Sequence, residues 1–133
     1  MDRNLQILGL AKKAGLLAIG AEDAKAAVLA RKAAVILSGL DASEGARSRA
    51  RKNAESCGVP YTTVPYSCFE LGGVTGRGSP GTLAILDTGL AARFMRGLAE
   101  TEPERYGAVA EFLEQKVQAR ADKKRQTPRR MML

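Results

Sequence analysis

The chain of 133 residues has no histidine and no tryptophan, and its aromatic side chains are three Phe and three Tyr. Without histidine, imidazole acid–base catalysis and His-ligated metal sites are excluded. The cysteines are Cys57 and Cys68 alone. One such pair makes neither a zinc knuckle nor a CxxC redox site, and two reduced thiols in a cytoplasmic protein are expected. So few aromatics argue against an RNA-recognition-motif sheet and against stacking-driven single-strand binding, and no GXXG loop of the KH type is present. No apolar run approaches the roughly twenty residues a membrane span requires. The opening MDRNLQILGLAKK is interrupted by Gln6 and Gly9 and closed by Lys12 and Lys13, so no signal peptide is expected.

What is abundant is positive charge. Lys and Arg number 21 against 14 Asp and Glu, a net charge of +7. Such an excess points to an anionic partner, nucleic acid first. An apolar share of 45% and a charged share of 26% describe an ordinary globular chain. The length suits one domain with a short appendage.

Helix-like and strand-like blocks alternate. Leu5, Leu8 and Ala11 fall at helical spacing within 2–14, before Gly15. Leu16–Ile19 is a short apolar run ended by Gly20. Residues 21–32 start with acids and finish on Arg31 and Lys32, matching a helix dipole. Ala33–Leu37 reads as a buried strand. Asp41 and Ser43 are both possible caps of a wet, arginine-rich helix over 44–57. Tyr61–Val64, between Pro60 and Pro65, reads as a strand near a sheet edge. A short helix over 67–72, the glycine-rich stretch Gly72–Gly81, a strand Thr82–Leu86 and a helix to about Leu98 follow. The alternation predicts an α/β fold, a three-layer α-β-α sandwich around a mixed four-stranded sheet.

Beyond this unit, Thr101-Glu102-Pro103-Glu104 is a capping-box start. Val109, Phe112, Leu113 and Val117 then form one apolar face, so 99–119 reads as an accessory amphipathic helix able to dock. The stretch 120–133 carries Arg120, Lys123, Lys124, Arg125, Arg129 and Arg130 against Asp122, and includes Pro128. It is expected to be a disordered basic arm when free.

Two segments hold the residues most suited to recognition. Gly20, Ala21, Glu22, Asp23 and Lys25 surround a helix start, where free backbone N–H groups and the positive dipole end suit phosphate oxygens. Glu22 and Asp23 would also sit well there with no ligand at all, and Lys25 could pair with an acid one turn earlier. Arg77, Gly78, Ser79 and Pro80 form a loop whose backbone and cation can approach RNA or simply turn at the surface. Gly76-x-Gly78-x-x-Gly81 has dinucleotide-fingerprint spacing but precedes a strand instead of following one, and the loop lacks a P-loop lysine. Arg47, Arg49, Arg51 and Lys52 give the 44–52 stretch a net +3 with Glu44, either a solvated face or a phosphate-facing patch.

Four blocks, LGLAKKAGLLAIGAEDA, AAVILSGLDAS, VPYTTVP and LGGVTGRGSPGTLAILDTGLAARF, occur in one order and spacing over about residues 4–98. Together they resemble the ribosomal protein superfamily founded on the archaeal L-seven-Ae and eukaryotic L-thirty-e proteins, with most likeness to its small bacterial YlxQ-like branch. The resemblance implies a sandwich that binds RNA, typically a kink-turn with sheared G·A pairs. It also implies that the start of the second helix enters the RNA groove, with a Gly-x-Asn-Glu-x-x-Lys pattern supplying a guanine-reading carboxylate and a phosphate-binding lysine. A loop before the last strand covers the bulged nucleotide. Anchored on Gly20, this sequence places Glu22 at the Asn position, Asp23 at the Glu position and Ala26 at the Lys position. Anchored on the acid-to-lysine spacing, Glu22 and Lys25 fit and Ala21 replaces Asn. Neither placement restores the asparagine.

The resulting expectation is a non-catalytic, monomeric, ribosome-associated RNA-binding protein with residues 1–98 as the RNA-binding domain, no cofactor and no metal. The 120–133 arm would add affinity without sequence reading. The rival expectation is a ribosomal or transcription-machinery adaptor that docks through 102–119. No nucleophile–base pair supports an enzyme.

Overall fold

The computed structural model describes residues 2–132, with side chains through 124. Its elements run α1 (Arg3–Lys13), β1 (Leu17–Ile19), α2 (Ala21–Leu29), β2 (Val35–Ser38), α3 (Glu44–Ser56), β3 (Tyr61–Thr63), α4 (Cys68–Thr75), β4 (Thr82–Ile85), α5 (Thr88–Thr101) and α6 (Pro103–Met132). The strands form one sheet in the order β1-β4-β2-β3. β4 is antiparallel to β1 and β2, and β3 is parallel to β2. Three strands therefore finish at the edge where β4 begins.

The central strands are buried throughout, and their alternate residues serve opposite layers. Val35, Leu37, Leu83 and Ile85 meet Leu8, Leu71, Phe94 and Met95 from α1, α4 and α5. Ile36 and Ala84 meet Ala24, Ala27 and Val28 of α2 and Ala50 and Ala54 of α3. The sandwich expected from the sequence is thus the observed fold. Tyr61–Thr63 is an edge strand, as its two flanking prolines require. Ser43, not Asp41, caps α3: its hydroxyl accepts the Ala46 N–H at 3.1 Å.

Two departures have physical causes. α4 continues through Gly72 and Gly73 to Thr75, into the stretch read as a glycine-rich loop. Its Ser67–Glu70 capping box fixes the start, and the missing side chain at Gly72 admits the Gly78 carbonyl. Glycine is there for close approach, not for a turn. At the other end of the chain, α6 does not stop near 119. It runs as one helix of 30 residues, about 45 Å long. The Gln118 side-chain amide donates to Asp122 at 3.1 Å, one helical turn on, through a run of good helix formers. The 120–133 stretch, expected to be a disordered arm when free, continues α6 as helix through Met132. The side chains of Arg125, Arg129 and Arg130 lie outside the described residues.

The apolar face of α6 is also already occupied. Tyr106, Ala110 and Leu113 are fully buried in the core cluster shared with Phe94, Met95 and Leu98 of α5. Arg96 and Glu114 brace the two helices through hydrogen bonds of 2.8 and 2.5 Å. A segment read as an accessory able to dock elsewhere is therefore part of the domain core. Among the described residues only Phe112 and Val117 of its large apolar side chains remain exposed.

Candidate nucleic-acid interface

The strand directions gather the starts of α2, α3 and α4 at one edge of the sheet, together with the loop entering β4. Backbone hydrogen bonds hold this rim. The Gly20 N–H donates to the Thr82 carbonyl at 2.9 Å, and the Gly39 N–H donates to the Gly81 carbonyl at 3.0 Å. The segment following Pro80 is thereby stitched between the end of β1 and the end of β2. The Asp41 carboxylate accepts the Cys68 N–H at 2.7 Å, tying the β2–α3 loop to the start of α4. That bond holds the Asp41 carboxyl below the ordinary range, while burial and then the neighbouring Asp41 push the Cys68 thiol up to about 11.

α2 differs from its neighbours at its N-terminus. α1, α3, α4 and α5 have side-chain caps from Asp2, Ser43, Ser67 and Asp87. α2 starts at Gly20 with no side-chain cap. Gly20 has φ 99° and ψ 161°, backbone that a side chain rarely tolerates, so glycine is required to turn from β1 into the helix. The first-turn amides of Ala21, Glu22 and Asp23 therefore lack both a cap and intrahelical acceptors. These three residues and Lys25 are exposed, whereas Ala24, Ala27 and Val28 face the sheet.

The loop is equally well placed. Gly76 ends α4 in the left-handed region at φ 72°, and Gly78 has φ 41°. Arg77, Gly78 and Ser79 are exposed and Pro80 is half-buried. Arg77 to Pro80 and Gly20 to Lys25 thus belong to the same edge, joined through Gly81 and Thr82, with no side-chain hydrogen bond or ion pair between the two groups among the described residues.

Sequence reasoning left three contributors unassigned to this region. A cleft of about 290 Å³ between α2 and α3 has Glu22, Lys25, Arg49 and Lys52 around it and Val28 and Ile36 among its apolar lining. The arginine-rich helix accordingly divides its cations: Arg49 and Lys52 join Lys25, while Arg51 lies 4.0 Å from Glu55 on the exposed side. Lys12, in the last turn of α1, brings Nζ within 3.2 Å of where a Cβ on Gly76 would sit. Asp41, weighed only as a cap of α3, is the third. Helical phase marks Arg49 and Lys52 as near neighbours, but their approach to α2 depends on the sheet order.

The arrangement can bind anions through backbone amides and cations, and can accept hydrogen bonds from a base through Glu22 or Asp23. Among the described residues no three His, Cys, Asp or Glu side chains gather to hold a metal, and no helix is long and apolar enough to cross a membrane.

Comparison with solved structures places the fold. A protein of unknown function from Bacillus halodurans superposes with a TM-score of 0.67 at 22% identity, covering 73% of this chain and 97% of the other. The Giardia lamblia 15.5kD RNA binding protein superposes with a TM-score of 0.59 at 17% identity, covering 79% of this chain and 85% of the other. No family model and no curated protein matches the sequence. At these identities the likeness defines a shared fold.

Proposed function

We propose that the chain is a non-catalytic RNA-binding protein of the L-seven-Ae / L-thirty-e type, of its YlxQ-like branch, which recognises a kink-turn-like element of ribosomal RNA in the cytoplasm. The observation that carries this reading is the uncapped α2 start, stitched at Gly20 to the loop-bearing end of β4. Free amides of residues 21–23 take phosphate oxygens, Lys25, Arg49 and Lys52 neutralise backbone charge, and Asp23 or Glu22 accepts from a guanine edge. Arg77 to Pro80 meet the RNA from the β4 side. The fold shared with an RNA-binding protein of Giardia supports the reading.

The test is binding of a kink-turn RNA and a plain duplex over a salt series. A kink-turn preference is expected, and Asp23→Ala should narrow it by about 1–3 kcal/mol, the scale of one lost base contact. Neutralising Arg129 and Arg130 should weaken both RNAs alike. Equal wild-type affinities for the two RNAs would refute selective recognition.

A further inference from the structure

The opposite edge of the sheet carries a second group of cations. There α2, α3 and β4 end and the middle of α6 passes close by. Arg31, Lys32, Lys116 and Arg120 line one cavity of about 200 Å³, and no acidic side chain lines it among the described residues. All four are exposed, and none forms an ion pair among the described residues. The Lys116 Nζ lies 4.9 Å from the centre of the Phe112 ring, a cation–π contact that holds the ammonium without neutralising its charge.

Helix dipoles explain only half of this group. Arg31 and Lys32 follow the carbonyl end of α2, where a cation is favourable. Lys116 and Arg120 sit in the interior of α6, which continues to Met132, so their positions answer to no helix end. Arg31 supplies an independent sign. It is the one non-glycine residue with positive φ among the described residues, at 59°. Its N–H donates to Val28 and that of Lys32 to Ala27, at 3.0 and 2.9 Å, the bond pattern of a left-handed helix stop that glycine fills at least cost. An arginine is held there against backbone preference, and the turn aims two successive cations toward those of α6.

We infer that this edge is a second phosphate-binding surface, which takes the backbone of an RNA stem continuing away from the element held at the start of α2. The inference rests on the RNA-binding reading of that first edge. The nine residues of α2 separate the edges by about 14 Å, too far for one phosphate to serve both. Contact at the second edge is through charge and is indifferent to base sequence.

The test uses the full chain with two RNAs, a kink-turn with short stems and the same element with one stem lengthened by a helical turn. Wild type should bind the longer RNA more tightly. Lys32→Gln, Lys116→Gln and Arg120→Gln combined should lower the salt slope on the longer RNA by about 2 to 3 and weaken binding about tenfold or more at 0.1 M salt. Binding of the short RNA and its preference over duplex should stay near wild type. Arg31→Gly alone should lower the slope by about 1 without lowering Tm, because glycine suits the turn. A control removing equal charge, Arg3→Gln, Arg93→Gln and Arg105→Gln, should have little effect. The inference is overturned if the two triple variants weaken binding equally, if the Arg31→Gly slope is unchanged, or if the longer stem gives wild type no advantage. If wild type lacks kink-turn preference while the Lys32, Lys116 and Arg120 variant still loses slope on duplex, the selective reading fails and the second surface stands.

Discussion

Gly72→Ala, compared with Gly73→Ala, tests whether α4 positions the loop. Both glycines lie inside α4, where alanine is favoured over glycine by about 1 kcal/mol. A Cβ on Gly73 would meet nothing within 4 Å. A Cβ on Gly72 would sit 2.7 Å from the Gly78 carbonyl carbon, with the carbonyl oxygen closer still. Carbon atoms in contact prefer about 3.5–4.0 Å and the nearer oxygen must also clear, so the loop backbone must retreat by more than about 1 Å. Overpacking of that kind costs about 1–3 kcal/mol. The propensity gain is common to both variants, so the difference between them isolates the clash. Gly73→Ala should raise stability by about 0.5–1 kcal/mol, and Gly72→Ala should fall about 1–3 kcal/mol below it. Urea titration of both proteins measures this difference, and the displaced loop should also weaken RNA binding in Gly72→Ala alone. Equal stability and equal RNA affinity would refute the packing of Gly78 on α4.

Leu113→Ala should cost about 2–5 kcal/mol, since Leu113 is fully buried between α6 and the core; a cost under about 0.5 kcal/mol on denaturant titration would return α6 to the role of a detachable accessory. Stability should be flat from about pH 5 to 8, because no histidine titrates there. Asp41 and Glu114 are held below their usual range, by the Cys68 N–H and by Arg96 respectively. Their contributions are present above the unfolded values near ~4 and are lost as pH falls through the lowered folded values. Unfolding followed against pH should therefore show an acid limb that Asp41→Asn makes shallower, and an unchanged limb would exclude Asp41 as a contributor. At pH 8.5, Cys68 should react with iodoacetamide about a hundredfold more slowly than a free thiol, given a pKa of about 11. Labelling followed by mass spectrometry reads this, and a rate equal to free cysteine would contradict the half-buried thiol beside Asp41.

Local signals carried most of the architecture. The Ser67 and Glu70 pair, the apolar runs of β2 and β4 and the glycine stops each name an element from a few neighbouring residues. The α2 start was legible for the same reason, since Gly20 followed by two acids marks a helix entry whatever surrounds it. Features built from distant segments were hidden. The cavity shared by Arg31 and Arg120, the approach of Lys12 to Gly76 and the bond from Cys68 to Asp41 all depend on sheet order. Of the face read as Val109, Phe112, Leu113 and Val117, Leu113 is fully buried while Phe112 and Val117 are exposed. Tyr106 and Ala110, which the reading passed over, complete the buried stripe; periodicity gives no address for what a stripe covers. Gly72 misled because a glycine chosen for close approach is spelled like one chosen for a turn.

The acids of α2 decide how selectivity is achieved on a basic surface. A phosphate at the amides of residues 21–23 gains about 0.3–1 kcal/mol from the helix dipole. A carboxylate some 4 Å away opposes it by about 1 kcal/mol in a water-like medium. The two terms nearly cancel, so general affinity must come from Lys25, Arg49, Lys52 and Arg77, and Asp23 acts mainly against RNA that offers it no donor. A guanine edge converts that penalty into hydrogen bonds, whereas a plain duplex leaves it in place. Asp23→Ala should therefore tighten duplex binding, by about 1 kcal/mol at low salt, as well as weaken kink-turn binding. Fluorescence anisotropy with both RNAs at two salt concentrations separates the two contributions. If the variant loses kink-turn affinity with no gain on duplex, Asp23 is an attractive contact only, and discrimination must come from the shape of the rim between Gly20 and Pro80.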